Sequence, residues 1–564
     1  MSRPFSPQDL YELRIATDPR LSPDGRWVAF TVQVAAARRD GYRHSVWLVP
    51  ADGSAPARQL TIGAKHDRHA RFSPDGRSLA FISDRRLTTE EMPGAPDDRE
   101  DGDQVYLLSL EGGEARRLTD LPRGVADFVW APDGRRIAVL SSSRGATRAE
   151  DARRRGTGRK PDPKLPPLSD YRYADRLGYQ YNGAGYIVGK ELELWVVEAG
   201  DGTARRLTTA ATPVFDPAWS PDSTRIAFST DRRADRDQMW HQQVYVINAD
   251  GGPETRVTDL GHSYFAGPAW LPDGGTLAAL GHRYPARAGS RFDIWLFAAD
   301  GSEADHAGGR NLSGRHDLMP GSGMGSDLTP GEEPRLAVTA GGRWITFSAP
   351  YGGSYELWRI STSDGDVVRL SEGRHYISAF DQVTPPKAGR AAVAGADLGT
   401  RLAYARSTPT RPTDLWVLDV PAAGSGRGLP TPRRLTDLNA EVLSALELVE
   451  PVERWVEVDG RPVQGWYIAP ATSAADASSA AGGAPQRAAQ GPAPLVTEIH
   501  GGPHSLYGWS PFIEFQVLAG AGIGVWYCNP RGSEGYGQDF NAANFRDWGP
   551  GPTRDVLAGI DSLV

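Results

Sequence analysis

The chain has 564 residues, with 62 Lys and Arg against 70 Asp and Glu and a formal net charge of −8. That acidic balance disfavours a nucleic-acid binder, and no apolar run approaches the roughly 20 residues of a membrane-spanning helix. The single cysteine, Cys528, cannot form an internal disulfide, and no Cys/His cluster has ligand spacing, so neither a metal nor a cofactor is expected.

The N-terminal stretch lacks a secretory signal pattern, which makes the cytoplasm the expected compartment. Self-similarity then dominates the chain to about residue 440. Ser22-Pro23-Asp24-Gly25, Ser73-Pro74-Asp75-Gly76, Ala131-Pro132-Asp133-Gly134, Ser220-Pro221-Asp222-Ser223 and Leu271-Pro272-Asp273-Gly274 each precede a short apolar run. Pro presets φ, Asp bonds the backbone that follows it and Gly accepts a positive φ, so each copy predicts a tight turn feeding a strand. An aromatic-rich strand, a D-G or G-G turn and a closing R-L-T strand come next, as in Val46–Val49, Asp52-Gly53 and Leu60-Thr61. Weaker copies begin at Gly341 and Thr400 and bring the total to seven.

Units of about four strands without intervening helices predict an all-β fold, a seven-bladed β-propeller of PD repeats. It is assigned to residues 21–440, behind a short N-terminal segment, 1–20. The acidic insertion 87–103 and the insertion 144–168, with Arg153-Arg154-Arg155, read as solvated loops. The aromatic and glycine-rich stretch Tyr171–Gly189 is a candidate lining for a cavity or a domain boundary.

The repeat stops after Leu438, and residues 441–564 read as a second domain. A strand, an Asp459-Gly460 turn and a second strand open it, and Ala471–Pro494 is too poor in large apolar residues to order strongly. There follow a strand at Leu495–Ile499, the segment His500-Gly501-Gly502-Pro503-His504, a helix near Phe512–Ala521, a buried strand at Ile523–Cys528 and a turn at Asn529–Gly537. Helical spacing then puts Val556, Ile560 and Leu563 on one face, and the whole is an αβα pattern with parallel-sheet character.

HGGPH at 500–504, NPRGSEGYG at 529–537, Phe540, Trp548-Gly549 and Asp555, placed behind PD repeats, resemble the prolyl oligopeptidase family of serine peptidases. Within it the chain is most similar to the acylaminoacyl-peptidase and dipeptidyl-peptidase branch. The resemblance spans essentially the whole chain. It implies the N-terminal part of an α/β-hydrolase domain, a propeller that restricts access, and hydrolysis of short peptides through an acyl-enzyme. Short peptides are the implied partners, with neither nucleic acid nor membrane, and a homo-oligomer stays open.

Acyl transfer needs a nucleophile, a base, an orienting acid and donors aimed at the developing oxyanion. Gly501 and Gly502 fit the backbone donor of an HGG-type loop, and the resemblance favours the N–H of Gly502, with His500 orienting the loop. His504, Arg531, Glu534 and Tyr536 are the substrate-pocket candidates. For His504 the alternative is a cap on the next helix, and for the other three a turn held by internal hydrogen bonds.

No G-x-S-x-G occurs: Ser354 lies in a predicted hairpin, Ser533 lacks the first glycine and Ser562 lies on a helix face. The resemblance therefore implies no catalytic residue within this chain and a Ser, Asp and His after Val564. As written the chain is expected to be a shortened and inactive form of a longer peptidase. The competing class is a non-catalytic β-propeller that binds a protein or glycan, a role that leaves residues after 440 without a use.

Overall fold

The structure is a computed structural model that describes residues 2–36, 41–63, 66–85, 102–142, 174, 176–181, 185–187, 191–209, 212–238, 241–283, 289–302, 308–328, 335–384, 399–421, 429–471 and 493–563. Nearly all of the insertions 87–103 and 144–168, about half of 171–189 and most of 471–494 lie outside these residues.

The repeated turns form as their residues dictate. In the first, the Ser22 hydroxyl donates to Asp24 Oδ1 at 2.5 Å, the Arg26 N–H donates to the same oxygen at 3.0 Å, and Gly25 takes φ of 70°. The same arrangement recurs at Ser73 and Ser220, where Ser223 holds φ of 61° in the place that glycine fills elsewhere. Each turn joins two antiparallel strands. In the first copy these are Arg14–Leu21 and Trp27–Ala35, so the first sheet reaches back into the stretch assigned to an N-terminal segment.

Five four-stranded antiparallel sheets succeed one another among the described residues, from Arg14–Leu21 to Arg310–Asn311. An eight-stranded sheet follows, made of two further sets of four joined by the single parallel pair Tyr355 and Tyr376.

The closing R-L-T has a physical reason. In every set the hydroxyl of this Thr or Ser accepts the first N–H of the third strand's core: Thr61 from Val46, Thr119 from Val105, Thr208 from Leu194, Thr258 from Val244, Ser313 from Ile294, Ser371 from Leu357 and Thr436 from Leu415, all at 2.9–3.0 Å. In five of them the hydroxyl proton goes to the side chain just before that N–H, namely Gln104, Gln243, Asp293, Glu356 or Asp414. In three sets the arginine two residues earlier pairs with the acid, Arg206 with Glu193, Arg369 with Glu356 and Arg434 with Asp414, and in the fifth set Asn311 donates to Asp293 from that place. One hydroxyl thus fixes the register of a very short outer strand that has few ladder bonds of its own.

By compactness the chain divides into two units, one of Met1–Ile62, Tyr284–Ile294 and Asn311–Val564, the other of Gly63–Arg283 and Trp295–Arg310. The first contains residues 441–564. There β1 (Val452–Val458) and β2 (Arg461–Ile468) form a hairpin, followed by β3 (Leu495–Glu498), α1 (Ile513–Gly520), β4 (Gly524–Cys528), α2 (Gln538–Asn541) and α3 (Pro550–Asp561). The sheet order is β1-β2-β4-β3. Only β3 and β4 run parallel, so the expected parallel character gives way to a mixed sheet, because the Asp459-Gly460 turn folds β2 straight back on β1.

Every residue of β4 is buried, and Trp466, Trp526 and Tyr527 are the largest side chains enclosed. Val556, Ile560 and Leu563 lie against Trp526 and Cys528, the face that the helical spacing predicts.

Thr258→Val is expected to cost about 1–3 kcal/mol, because it leaves the buried Val244 N–H without an acceptor. Thr258→Ser, which keeps the hydroxyl, is expected to cost less than half as much. Denaturant midpoints of the two variants check this; equal losses would assign the effect to the methyl group.

Candidate active site

β3 delivers the chain into His500–His504. Gly502 holds φ of 124°, and a Cβ built there would lie 2.7 Å from the His504 nitrogen, so only glycine fits. At Gly501 a Cβ would meet nothing within 4 Å. Both glycines are exposed, and neither N–H donates to any described residue. Two unbonded, exposed amides therefore follow a parallel pair in which β4 is buried and β3 is half-buried.

The loop is held from one side by the turn at 529–537. Asn529 accepts the Tyr507 N–H and donates to the Tyr507 carbonyl, both at 2.8 Å. Glu534 N–H donates to the Ser505 carbonyl at 3.0 Å, and His504 Nδ1 lies 3.0 Å from the Gly532 carbonyl. His500 Nδ1 lies 2.8 Å from the Gly501 carbonyl and its Nε2 lies 2.9 Å from Ser533 Oγ. Burial holds the His500 imidazole below the ordinary histidine range.

From the other side, residues 316–328 brace the loop. Met324 and Leu506 form an isolated parallel bridge, and Ser510 donates to the Gly325 carbonyl at 2.6 Å. Both oxygens of Asp327 accept N–H groups at the start of α1, from Ile513 and Glu514 at 2.9 Å. The helix cap is therefore Asp327, and the alternative role of His504 as that cap is not found. His504 Nδ1 lies instead 3.0 Å from the Gly532 carbonyl and 3.2 Å from Asn541 Nδ2, and its Nε2 is buried with no hydrogen-bond partner among the described residues.

Arg531 is only 5 % exposed, with Nε and Nη2 on the fully buried Asp555 at 2.9 and 2.7 Å and Nη2 on Asp459 at 2.9 Å. Tyr536 donates to Gln464 Oε1 at 2.5 Å and accepts from Asn529 at 2.6 Å. Both side chains are thus engaged within the protein, Arg531 by Asp555 and Asp459 and Tyr536 by Gln464 and Asn529. The Glu534 carboxyl is met by the Ser322 side chain and the Gly323 N–H, and burial raises it to about 7.

The serines set aside on sequence grounds have ordinary places. Ser354 is buried beside the Gly352-Gly353 hairpin turn, whose residues hold φ of 52° and 72°. Ser562 caps the end of α3 through the Gly559 carbonyl at 2.6 Å, and Ser533 is 1 % exposed. Burial pushes the Cys528 thiol up to about 12, which leaves it unreactive.

Sequence reasoning passed over Asp327, Asp459 and Asn529. Asp459 was noticed only as a turn residue, Asn529 only as part of a motif, and Asp327 caps a helix 186 residues away, for which no local pattern exists.

A sequence profile of the prolyl oligopeptidase family matches residues 509–564. An uncharacterized peptidase of Bacillus subtilis, YuxL, is 30% identical over 571 residues, a match that takes in 100% of this chain and 76% of that protein. Dipeptidyl-peptidase 5 of Porphyromonas endodontalis is 22% identical over 96% of this chain and 69% of its own length. Among solved structures, the acylaminoacyl peptidase of Pyrococcus horikoshii superposes with a TM-score of 0.69 at 20% identity, covering 98% of this chain and 71% of that one. The fold is thus that of a peptidase with antiparallel four-stranded propeller-type sheets. The chain belongs to the prolyl oligopeptidase family of serine peptidases. Among the described residues no helix is long and apolar enough to cross a membrane.

The raised carboxyl of Glu534 has a signed consequence. Between the ordinary glutamate range and about pH 7 the folded protein keeps a proton that the unfolded chain has lost, so stability falls as pH rises through that window. Glu534→Gln is expected to remove that slope. Melting temperatures from about pH 5 to about pH 8 should show the wild type losing ground to the variant; parallel curves would refute the assignment.

Proposed function

We propose that the chain is the access-restricting and oxyanion-binding portion of a serine peptidase that cleaves short peptides through an acyl-enzyme. The observation that carries this is the exposed, unbonded N–H of Gly502, at a position where φ excludes every other residue, in a loop clamped on both sides. A backbone donor in a rigid loop needs no reorganisation when charge develops on the substrate carbonyl oxygen.

In this reading the Gly502 N–H binds the oxyanion, with Gly501 beside it, and the nucleophilic Ser, the Asp and the His follow Val564. The four-stranded sets are blades of a seven-bladed propeller, beginning with the strand at Arg14–Leu21 and ending near residue 440, that limits substrates to short peptides. Residues 441–564 are the first strands of the α/β-hydrolase domain, whose β1-β2-β4-β3 order supports the assignment. Removal of an N-acylated amino acid and removal of a dipeptide are the two specificities to separate, following the names of the relatives.

The test uses the protein with its natural C-terminal sequence, N-acetyl-aminoacyl and dipeptidyl chromogenic substrates, and a fluorophosphonate label. Hydrolysis with labelling of one serine is expected. Gly502→Ala should lower kcat by about 10²-fold or more with KM little changed, since it displaces one oxyanion donor. Absence of both hydrolysis and labelling would end the reading and leave a binding propeller.

A further inference from the structure

Ser533 is placed too deep to be a nucleophile, yet it touches the one side chain that controls the Gly501-Gly502 peptide. The Gly501 carbonyl and the Gly502 N–H are the two ends of one planar amide, so whatever fixes the oxygen also fixes the direction of the N–H. The oxygen is held by His500 Nδ1 at 2.8 Å, a contact that exists only if Nδ1 carries the proton. The neutral ring then presents a lone pair at Nε2, and the group 2.9 Å from that lone pair is Ser533 Oγ. A neutral ring that donates from Nδ1 takes the Ser533 hydroxyl proton at Nε2; the Pro530 carbonyl, 2.7 Å from the same hydroxyl, keeps the Ser533 N–H at 3.0 Å.

With Ser533 donating to Nε2, only the tautomer that grips the Gly501 oxygen is consistent. Without it the proton is free to move to Nε2, Nδ1 becomes a lone pair facing a carbonyl oxygen, and the contact turns repulsive. Ser533 itself is rigidly mounted. Two residues away, the Arg531 N–H and guanidinium are both on Asp555, and the next residue, Glu534, is tied to Ser505.

We propose that Ser533 is a positioning residue: its hydroxyl selects the His500 tautomer that holds the Gly501 carbonyl, and so aims the Gly502 N–H at the substrate oxyanion. The inference rests on the oxyanion role proposed for Gly502.

The experiment compares Ser533→Ala, His500→Asn and the double variant in the full-length protein. An Asn amide can donate to the Gly501 carbonyl with no help from Ser533, so it uncouples the two. Ser533→Ala is expected to lower kcat on the order of 10-fold with KM within about twofold. Affinity for a peptidyl trifluoromethyl ketone, whose hydrate mimics the tetrahedral intermediate, should fall by the same factor while affinity for a peptide product stays unchanged. In the His500→Asn background, Ser533→Ala should have no further effect on kcat. Equal losses in both backgrounds, or a parallel loss of product affinity, would show a merely structural role and overturn the proposal. If Ser533→Ala does not fold, Ser533→Cys keeps the volume with a weaker donor and is read in the same way. An active wild type with an unaffected Ser533→Ala variant sinks this inference alone, whereas a wild type that neither hydrolyses nor labels sinks the oxyanion role and this inference together.

Discussion

The arrangement around the glycine loop hangs on one buried ion pair. Arg531 has lost nearly all of its water, and Asp555 all of it. Removing either partner would leave an uncompensated charge in the interior, at a cost of about 3–5 kcal/mol. The pair is bidentate, and the backbone N–H of Arg531 joins it, so the carboxylate fixes the main chain of the turn as well as the side chain. Asp459 extends the grip to the β1–β2 hairpin, and Arg554 reaches the same oxygen from α3. A hairpin, a turn and a helix far apart in sequence are thereby set at fixed distances, and Ser533, Glu534 and Tyr536 project from the turn so fixed.

The repeated sheets solve a different problem with equal economy. An outer strand of two or three residues makes too few ladder bonds to define its own register. The hydroxyl of the R-L-T segment supplies what is missing, since it accepts and donates at once and can satisfy the strand N–H and the preceding side chain together. Where that side chain is Glu193, Glu356 or Asp414, the arginine of the same segment compensates its burial, and Asn311 and Arg291 do so at Asp293. The motif is therefore a self-contained polar unit, which is why it survives changes of Thr to Ser and of Glu to Gln or Asp between copies.

Much of this was legible in the sequence because it is local. The S-P-D-G turns, the Asp459-Gly460 hairpin, the helix at 513–520 and the buried face of α3 all follow from chemistry within about ten residues. The first strand of each set carries no mark of its own, since it precedes the turn that announces the motif. The site was legible only in part. The glycine of HGGPH announces its backbone requirement by its identity, but a charged residue does not announce its partner. Arg531 and Asp555 are 24 residues apart and Arg531 and Asp459 are 72 apart, so whether the arginine faces substrate or core was a question for three dimensions. Asp327 likewise caps a helix to which no sequence rule connects it.

The tip of the hairpin between Trp344–Tyr351 and Ser354–Ser361 carries a further meaning. The carbonyl of Gly353 accepts the Trp509 N–H at 2.8 Å, and the Gly353 α-carbon lies so close to Trp466 that a Cβ would fall 2.4 Å from its ring. Trp466 is at the centre of the core formed after residue 441. That core is completed by backbone from a repeat sheet, so the point at which the sequence pattern changes is not a point at which folding can be divided. A chain cut at the end of the repeats would leave the core around Trp466 without the Gly353 backbone that closes it.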